Sequence, residues 1–376
     1  FVDIEPQFES HTIYWPMGCS VDVGEWVFNP RQIHSSFDSE RRLTANSSAP
    51  IFVLYSRLFE KNICMTTAHD HYAAQLPPPS MEEVSSGIYA YVQLDGSWGL
   101  NNAGFIRGKD SLTLIDTCFT EARTRAYLEA VRNVSSLPMK TLVNTHHHGD
   151  HTHGNYLVPE ASIIGHELCR QTVIDTGLQA LHPLFPGVDW GDLELAPPTI
   201  TFNDRMELNF DDLKIELIFM GPAHTTNDIV AWLPQRKLLF AGDLIFNQGT
   251  PFVAMGSVSG SLQALKRLRE LGAETIVPGH GSVCGPEVMD DIEAYLTFVQ
   301  DTAREAFEAG LTPLDASRQA DLGRFAEWHD RERIAGNLHR AYSELRWDPP
   351  GMVLDLGPMV ADMVSLNGGR PVRCLA

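Results

Sequence analysis

The chain has 376 residues, enough for one large domain with additions or for two domains. Hydrophobic residues make up 43% and charged residues 20%, so a sizeable core is expected and disorder is not the default reading. Asp and Glu number 48 against 28 Lys and Arg, a formal charge of -20, which repels phosphate backbones and argues against a nucleic-acid partner.

In chain order, the opening FVDIEPQFES lacks the basic and apolar regions of a signal peptide. It begins with Phe rather than Met, which is compatible with a leader removed ahead of it. Residues 1–80 read as an irregular N-terminal extension with one strand-like run, IFVLYSRLF (51–59), closed by the stiff QLPPPS (75–80). Regular patterning starts beyond it. Strands are expected at 88–94, 103–108 and 111–116, a helix at about 119–133, and a strand at 140–145. Further strands follow at 162–165, 213–219, 228–234, 237–243 and 275–279, with helices near 167–176, 260–271 and 287–309. Interleaved strands and helices define an α/β or α+β class with helix-covered sheets, and the order of elements suggests two similar halves. Residues 311–345 read as helical and strongly charged, and 346–376 as a Gly- and Pro-rich tail, packed or swinging.

No run approaches the roughly 18 apolar residues of a membrane span. Cys19, Cys64, Cys118, Cys169, Cys284 and Cys374 are scattered without a CxxC pair, which fits a reducing compartment. The expectation is a cytoplasmic protein with a small-molecule substrate and neither a membrane nor a nucleic-acid partner. Its oligomeric state is not read from the sequence.

The run THHHGDH (145–151) carries the chemistry. It follows a strand, and the period of two puts His146 and His148 on one side with His147 facing away. The chain then turns, bringing Asp150 and His151 into the next helix from its N-terminal end. Four ligand-type side chains in six residues point to a metal, with zinc, manganese or iron as the ions such donors hold. One loop cannot complete two metal spheres. Three more candidates sit at expected strand ends: His224 in GPAHTTND, Asp243 in LLFAGD and His280 in IVPGHG. A carboxylate ending an apolar strand, like Asp243, is costly to bury without a partner. His69-Asp70-His71 reads as a surface turn, and His153, His166, His182, His329 and His339 as surface or capping histidines.

On these motifs residues 81–310 resemble the metallo-β-lactamase superfamily, whose HxHxDH pattern matches His146, His148, Asp150 and His151. The resemblance implies an α/β, four-layer αββα sandwich at 81–310, with an N-terminal extension at 1–80 and a helical C-terminal extension and tail at 311–376. It implies that His146, His148 and His224 hold one metal, that Asp150, His151 and His280 hold a second, and that Asp243 bridges them. It also implies that Asp116, in SLTLIDT, braces the histidine loop. The THHHxDHxxGN form and the bridging Asp look closest to the glyoxalase II-like branch, although the end of the chain does not match that branch's glutathione-binding region.

The implied function is a two-zinc hydrolase, with Mn2+ or Fe2+ as alternative ions. Its shared hydroxide attacks the carbonyl of a thioester, ester, lactone or amide, and Asp150 orients the nucleophile. Alternatives are a persulfide dioxygenase holding one iron, and a hydrolase of small phosphodiesters. Phe252 and Met255, straight after Asp243, are candidate substrate walls. Residues 178–190 have the content of a flap, and Tyr156 is a candidate donor to the oxyanion.

Overall fold

A computed structural model describes residues 77–93, 95–178 and 184–376. The strand expected at 51–59, the His69-Asp70-His71 turn and His182 lie outside these residues. Described elements build two facing sheets. The first holds β1 (Ser80–Ser85), β2 (Ile88–Val92), β3 (Ala103–Arg107), β4 (Leu112–Ile115), β5 (Met139–Val143), β6 (Ser162–His166) and β7 (Ile200–Phe202), side by side in chain order. Pairing is antiparallel from β1 to β4 and parallel from β4 to β7. The second holds β8 (Arg205–Phe210), β9 (Leu213–Phe219), β10 (Ile229–Leu233), β11 (Leu238–Phe246) and β12 (Thr275–His280), antiparallel except for the β11–β12 pair.

The strand period of two decides which side chain goes where. Ile88, Ala90 and Val92 of β2 pack with Ile215, Leu217, Ala231 and Phe240 of the second sheet, forming the core between the sheets. Tyr89 and Tyr91 point to the opposite face and pack with Tyr127, Leu128 and Val131 of helix α1 (Glu121–Val134). Each buried aliphatic side chain stabilises the fold by roughly 1.5–3 kcal/mol. Thr120 starts α1 by accepting the Arg123 N–H, which satisfies one of the free donors at the helix end.

Two short helices follow on the first half, α2 (Gly149–Thr152) and α3 (Glu167–Thr176). The outer face of the second sheet is covered by α4 (Val258–Leu271), α5 (Val288–Glu308) and α7 (Arg333–Leu345). They contribute Leu265, Leu268, Ile292, Leu296, Ile334 and Leu338 to one cluster. The layers are therefore helix, sheet, sheet, helix. The C-terminal region adds α6 (Pro313–Gln319), α7 and α8 (Leu356–Leu366). Of the two readings for 346–376, packing holds: Met359 and Met363 of α8 are buried with Ala335 of α7 and with Trp98, Phe185 and Phe252. Among the described residues no helix is long and apolar enough to cross a membrane.

Candidate metal centre

The THHHGDH run leaves β5, and Gly149–Thr152 forms the single turn of α2. β5 ends at Val143, before the expected 145, so His146 and His148 lie in the bent segment beyond it rather than in extended strand; they nevertheless face one point, while Asp150 and His151 reach it from α2. Two groups of donor atoms result. His146, His148, His224 and Asp243 form one, and Asp150, His151 and His280 the other, with the donor atoms of each group within 4.8 Å of one another.

Asp243 lies between them. Its Oδ2 is 3.3 Å from His224 Nε2, 3.4 Å from His280 Nε2 and 3.9 Å from His146 Nε2, and its Oδ1 is 3.0 Å from His151 Nε2. Asp150 Oδ2 is 3.3 Å from His280 Nε2 and 3.9 Å from His151 Nε2. His148 enters through Nδ1, 2.8 Å from His224 Nε2.

The strand carrying Asp243 is longer than expected, running to Phe246 rather than ending at 243. The β11–β12 register breaks on either side of Gly242, and such a bulge re-aims a side chain that regular pleating would bury in the sheet. Two glycines permit the close packing here, Gly279 against Asp243 and Gly242 against Thr145. A Cβ on Gly242, which has φ +52°, would meet the Thr145 side chain at 2.8 Å, and one on Gly279 would meet Asp243 Oδ1 at 1.9 Å.

The second nitrogens of the histidines are held from behind. His151 Nδ1 is 2.8 Å from Asp116 Oδ2, and Asp116 also accepts from the Thr145 N–H and Oγ1–H at 2.7 Å each. Asp116 therefore braces both ends of the histidine loop. His280 Nδ1 meets the Gly96 carbonyl at 2.9 Å, and His224 Nδ1 meets that of Phe252. Asn102 ties the same region across the two sheets by donating to the carbonyls of Pro278 and Gly281.

Charge is concentrated here. Burial lowers His146 and His148 well below the usual histidine range, helped by the neighbouring imidazoles. For His280 burial is outweighed by Asp243 and Asp150, which lift it to about 9, and His151 is raised in the same way by Asp243, Asp116 and Asp150. Burial pushes the Asp150 carboxyl up, but His151 and His280 more than reverse this and hold it well below the usual carboxylate range.

The residues present fit metal coordination. Imidazole nitrogens and carboxylate oxygens are the donors of zinc, manganese and iron sites. His146 Nε2, His151 Nε2 and Asp243 Oδ1 are buried and make no hydrogen bond, although buried polar atoms are nearly always satisfied. His151 Nε2 and Asp243 Oδ1 lie close together without the alignment a hydrogen bond needs.

Other expected residues are placed as follows. Phe252 and Met255 line the space beside the cluster, with Met255 Sδ 3.1 Å from His148 Nε2. Tyr156 does not join them. Its phenol lies among the charges of Glu121, Arg125, Asp192 and Glu194, because the turn after α2 directs it towards α1. His147 joins neither donor group and pairs with the Asn227 side chain. His153 is buried rather than at the surface, stacked on Phe119 with ring centroids 5.5 Å apart. His166 caps α3 by accepting the Leu168 N–H. Within 178–190, Leu184 and Phe185 line the space over the cluster.

Sequence reasoning missed the C-terminal contribution. Arg333, Leu356, Met359 and Val360 complete the wall of the small chamber, about 40 Å3, that holds His148, Asp150, His224, Asp243 and His280. Arg340, Gly351, Val353, Leu354 and Leu356 line a larger cavity of about 220 Å3, which shares His148 and Met255 with the chamber. A charged helix gives no sequence signal that its arginines point inward.

Residues 96–280 match the profile of the metallo-β-lactamase superfamily, a span that opens at Gly96 and closes at the candidate ligand His280. This span of the chain belongs to that superfamily. It is 23% identical over 235 residues to a metallo-β-lactamase type 2 of Bacteroides fragilis, covering 60% of this chain and 88% of that one. It is 30% identical over 180 residues to a hydroxyacylglutathione hydrolase of Rhodospirillum rubrum, covering 48% of this chain and 60% of that one. Its fold is similar to that of the inverting sec-alkylsulfatase Pisa1 from Pseudomonas sp., with a TM-score of 0.57 at 17% identity over 71% of this chain and 50% of that one.

Proposed function

We propose that this chain is a binuclear metal-dependent hydrolase acting on the carbonyl of an ester, thioester, lactone or amide with a largely apolar body. The observation that carries this reading is the convergence of seven buried or half-buried donor side chains from four separate chain segments, with three donor atoms left unsatisfied at their centre.

In this reading His146, His148 and His224 hold one ion, Asp150, His151 and His280 the other, and Asp243 lies between both. Two zinc ions bound there would supply a water acidified to near neutrality and an electrophile for the carbonyl oxygen. The chain's own residues do the positioning. Asp116, Gly96 O and Phe252 O hold the outer nitrogens of His151, His280 and His224, so each ring presents its inner nitrogen at a fixed angle. Asp150, whose Oδ2 faces His280 Nε2 and His151 Nε2 at the same centre, would help orient the attacking water with its carboxylate. Trp98, Phe185, Phe252, Met255 and Met359 exclude bulk water from the chamber, which strengthens every charge interaction inside it.

The apolar walls support an acyl body over a small phosphodiester. A persulfide dioxygenase with one iron would need only one of the two donor groups. The test is metal analysis combined with a hydrolysis panel of thioesters, lactones, β-lactams, alkyl sulfates and phosphodiesters. About two zinc ions per chain, with turnover abolished in His148→Ala, are expected. About one iron per chain with no hydrolysis overturns the proposal.

A further inference from the structure

Helix α7 buries two arginines, Arg333 and Arg340, which are 1% and 0% exposed. Seven residues apart, they share one helix face about 10 Å apart along the axis. Their charges are treated differently. Arg333 has a carboxylate partner, with its Nη2 2.9 Å from Asp330 Oδ2, donates from Nη1 to the Thr250 carbonyl, and lies over the Trp98 ring at 4.0 Å. Arg340 has no ion-pair partner among the described residues. Its Nε and Nη2 donate to the Ala254 carbonyl at 3.0 and 2.8 Å, and Nη2 also to the Met352 carbonyl at 2.6 Å. Its Nη1 is buried and has no partner.

The nearby carboxylates do not answer that charge directly. Glu344 is engaged by Ser257 Oγ and by the N–H groups of Val258 and Ser259, and Asp348 by Ser343 Oγ. A buried cationic donor left unpaired is costly, and such groups ordinarily find an acceptor. Arg340 lines the larger cavity, whose other walls are mostly apolar, among them Phe119, Leu178, Ala254 and Leu356. His148 and Met255 stand at the junction of this cavity with the metal-side chamber.

We infer that Arg340 is a specificity-determining residue: the cavity takes a substrate with an apolar middle and an anionic oxygen group, a carboxylate or sulfonate, which Arg340 binds while the scissile carbonyl reaches the donor cluster. This rests on the proposed hydrolase reading for the position of the reacting bond, but the anion subsite stands on Arg340 and the cavity alone. A planar guanidinium with a free N–H suits such a group better than an ammonium does. The overall charge of -20 repels anions at long range, so the selection is local and depends on desolvation inside the cavity.

The test uses the full metal-loaded chain and two p-nitrophenyl esters of equal length, the octanoate and the suberate monoester, which differ only in ending on a methyl or a carboxylate. Wild type is expected to show the lower KM for the carboxylate-ended ester. In Arg340→Met the ratio of the two KM values should fall about 10- to 100-fold, the size of a charge-assisted hydrogen bond. Arg340 also braces Ala254 and Met352, so Arg340→Gln, which keeps a neutral N–H donor, must show the same direction of change. A ratio near one in wild type, or one unmoved in both variants, overturns the inference. If neither ester turns over, the hydrolase reading has failed and the subsite is judged by calorimetric binding of octanoate, octanesulfonate and octanol. Tighter binding of either anion than of octanol, with the difference lost in Arg340→Gln, supports the subsite and shows which anion it takes. An anion affinity that Arg340→Gln leaves intact, or none above that of octanol, overturns it.

Discussion

Asp116 shows how one residue is spent on positioning. It sits at φ +58°, a region a non-glycine residue seldom occupies, and is buried between the two ends of the histidine loop. Strain of this kind persists where surrounding contacts over-determine the conformation, and here Thr145 and His151 supply them. Asp116→Asn keeps the shape but removes the anionic acceptor for His151 Nδ1. Metal affinity should fall about 10- to 100-fold, read by competition with a chromogenic chelator; an unchanged affinity would show that the brace is dispensable. The candidate donors were legible in the sequence because each is a polar residue interrupting an apolar strand end or crowding one loop. Asp116 became legible only through the family resemblance, since a lone Asp after a strand is common. Arg333 and Arg340 were not legible. In DRERIAGNLHRAYSELR they are two charges among several, and only packing against the rest of the fold tells which ones are inside.

At the scale of elements, the C-terminal helices are fastened to the helix layer over the second sheet by a borrowed helix cap. The first N–H groups of α4 have no partner within the helix, and Glu344 of α7 accepts those of Val258 and Ser259 at 2.6 and 3.1 Å together with Ser257 Oγ at 3.0 Å. An anionic acceptor is also favoured at the positive end of the helix dipole. Glu344→Ala should therefore cost about 1–3 kcal/mol, measured by urea unfolding, and loosen the C-terminal helices from the cavity they line. A loss below about 0.5 kcal/mol, the ordinary scatter of surface substitutions, would refute the cap. Strands and helices with strong periodicity were legible: the expected helix at 167–176 and strand at 213–219 coincide with α3 and β9. The expected strand at 237–243 was too short because the bulge after Gly242 depends on β12, which is distant in sequence. β1, β7 and β8 were not anticipated. β1 and β8 are edge strands, and although RMELNF of β8 alternates, its outward Arg205, Glu207 and Asn209 are solvated and its inward residues only half-buried, so the apolar signal is short and weak.

For the whole molecule, a metal pair would act as a fastener between the sheets. His146, His148, Asp150 and His151 follow β5 of the first sheet, whereas His224, Asp243 and His280 belong to the second. Ions bound by both sets are bound by the folded chain alone, because unfolding separates the two halves of each donor group. Ligand that binds only the folded state stabilises it by about 4 kcal/mol at a concentration a thousand times its dissociation constant. For a domain of this size each kcal/mol is worth about 2–4 °C, so removing metal with a chelator should lower the thermal midpoint by roughly 8–16 °C if binding is of that strength. Asp243→Ala separates this effect from a general weakening. It removes the carboxylate that lies between both groups, so the variant should melt at nearly the same temperature with and without zinc. If wild type shows no zinc-dependent shift in calorimetry, or if Asp243→Ala retains the full shift, the two sheets are not fastened through this cluster.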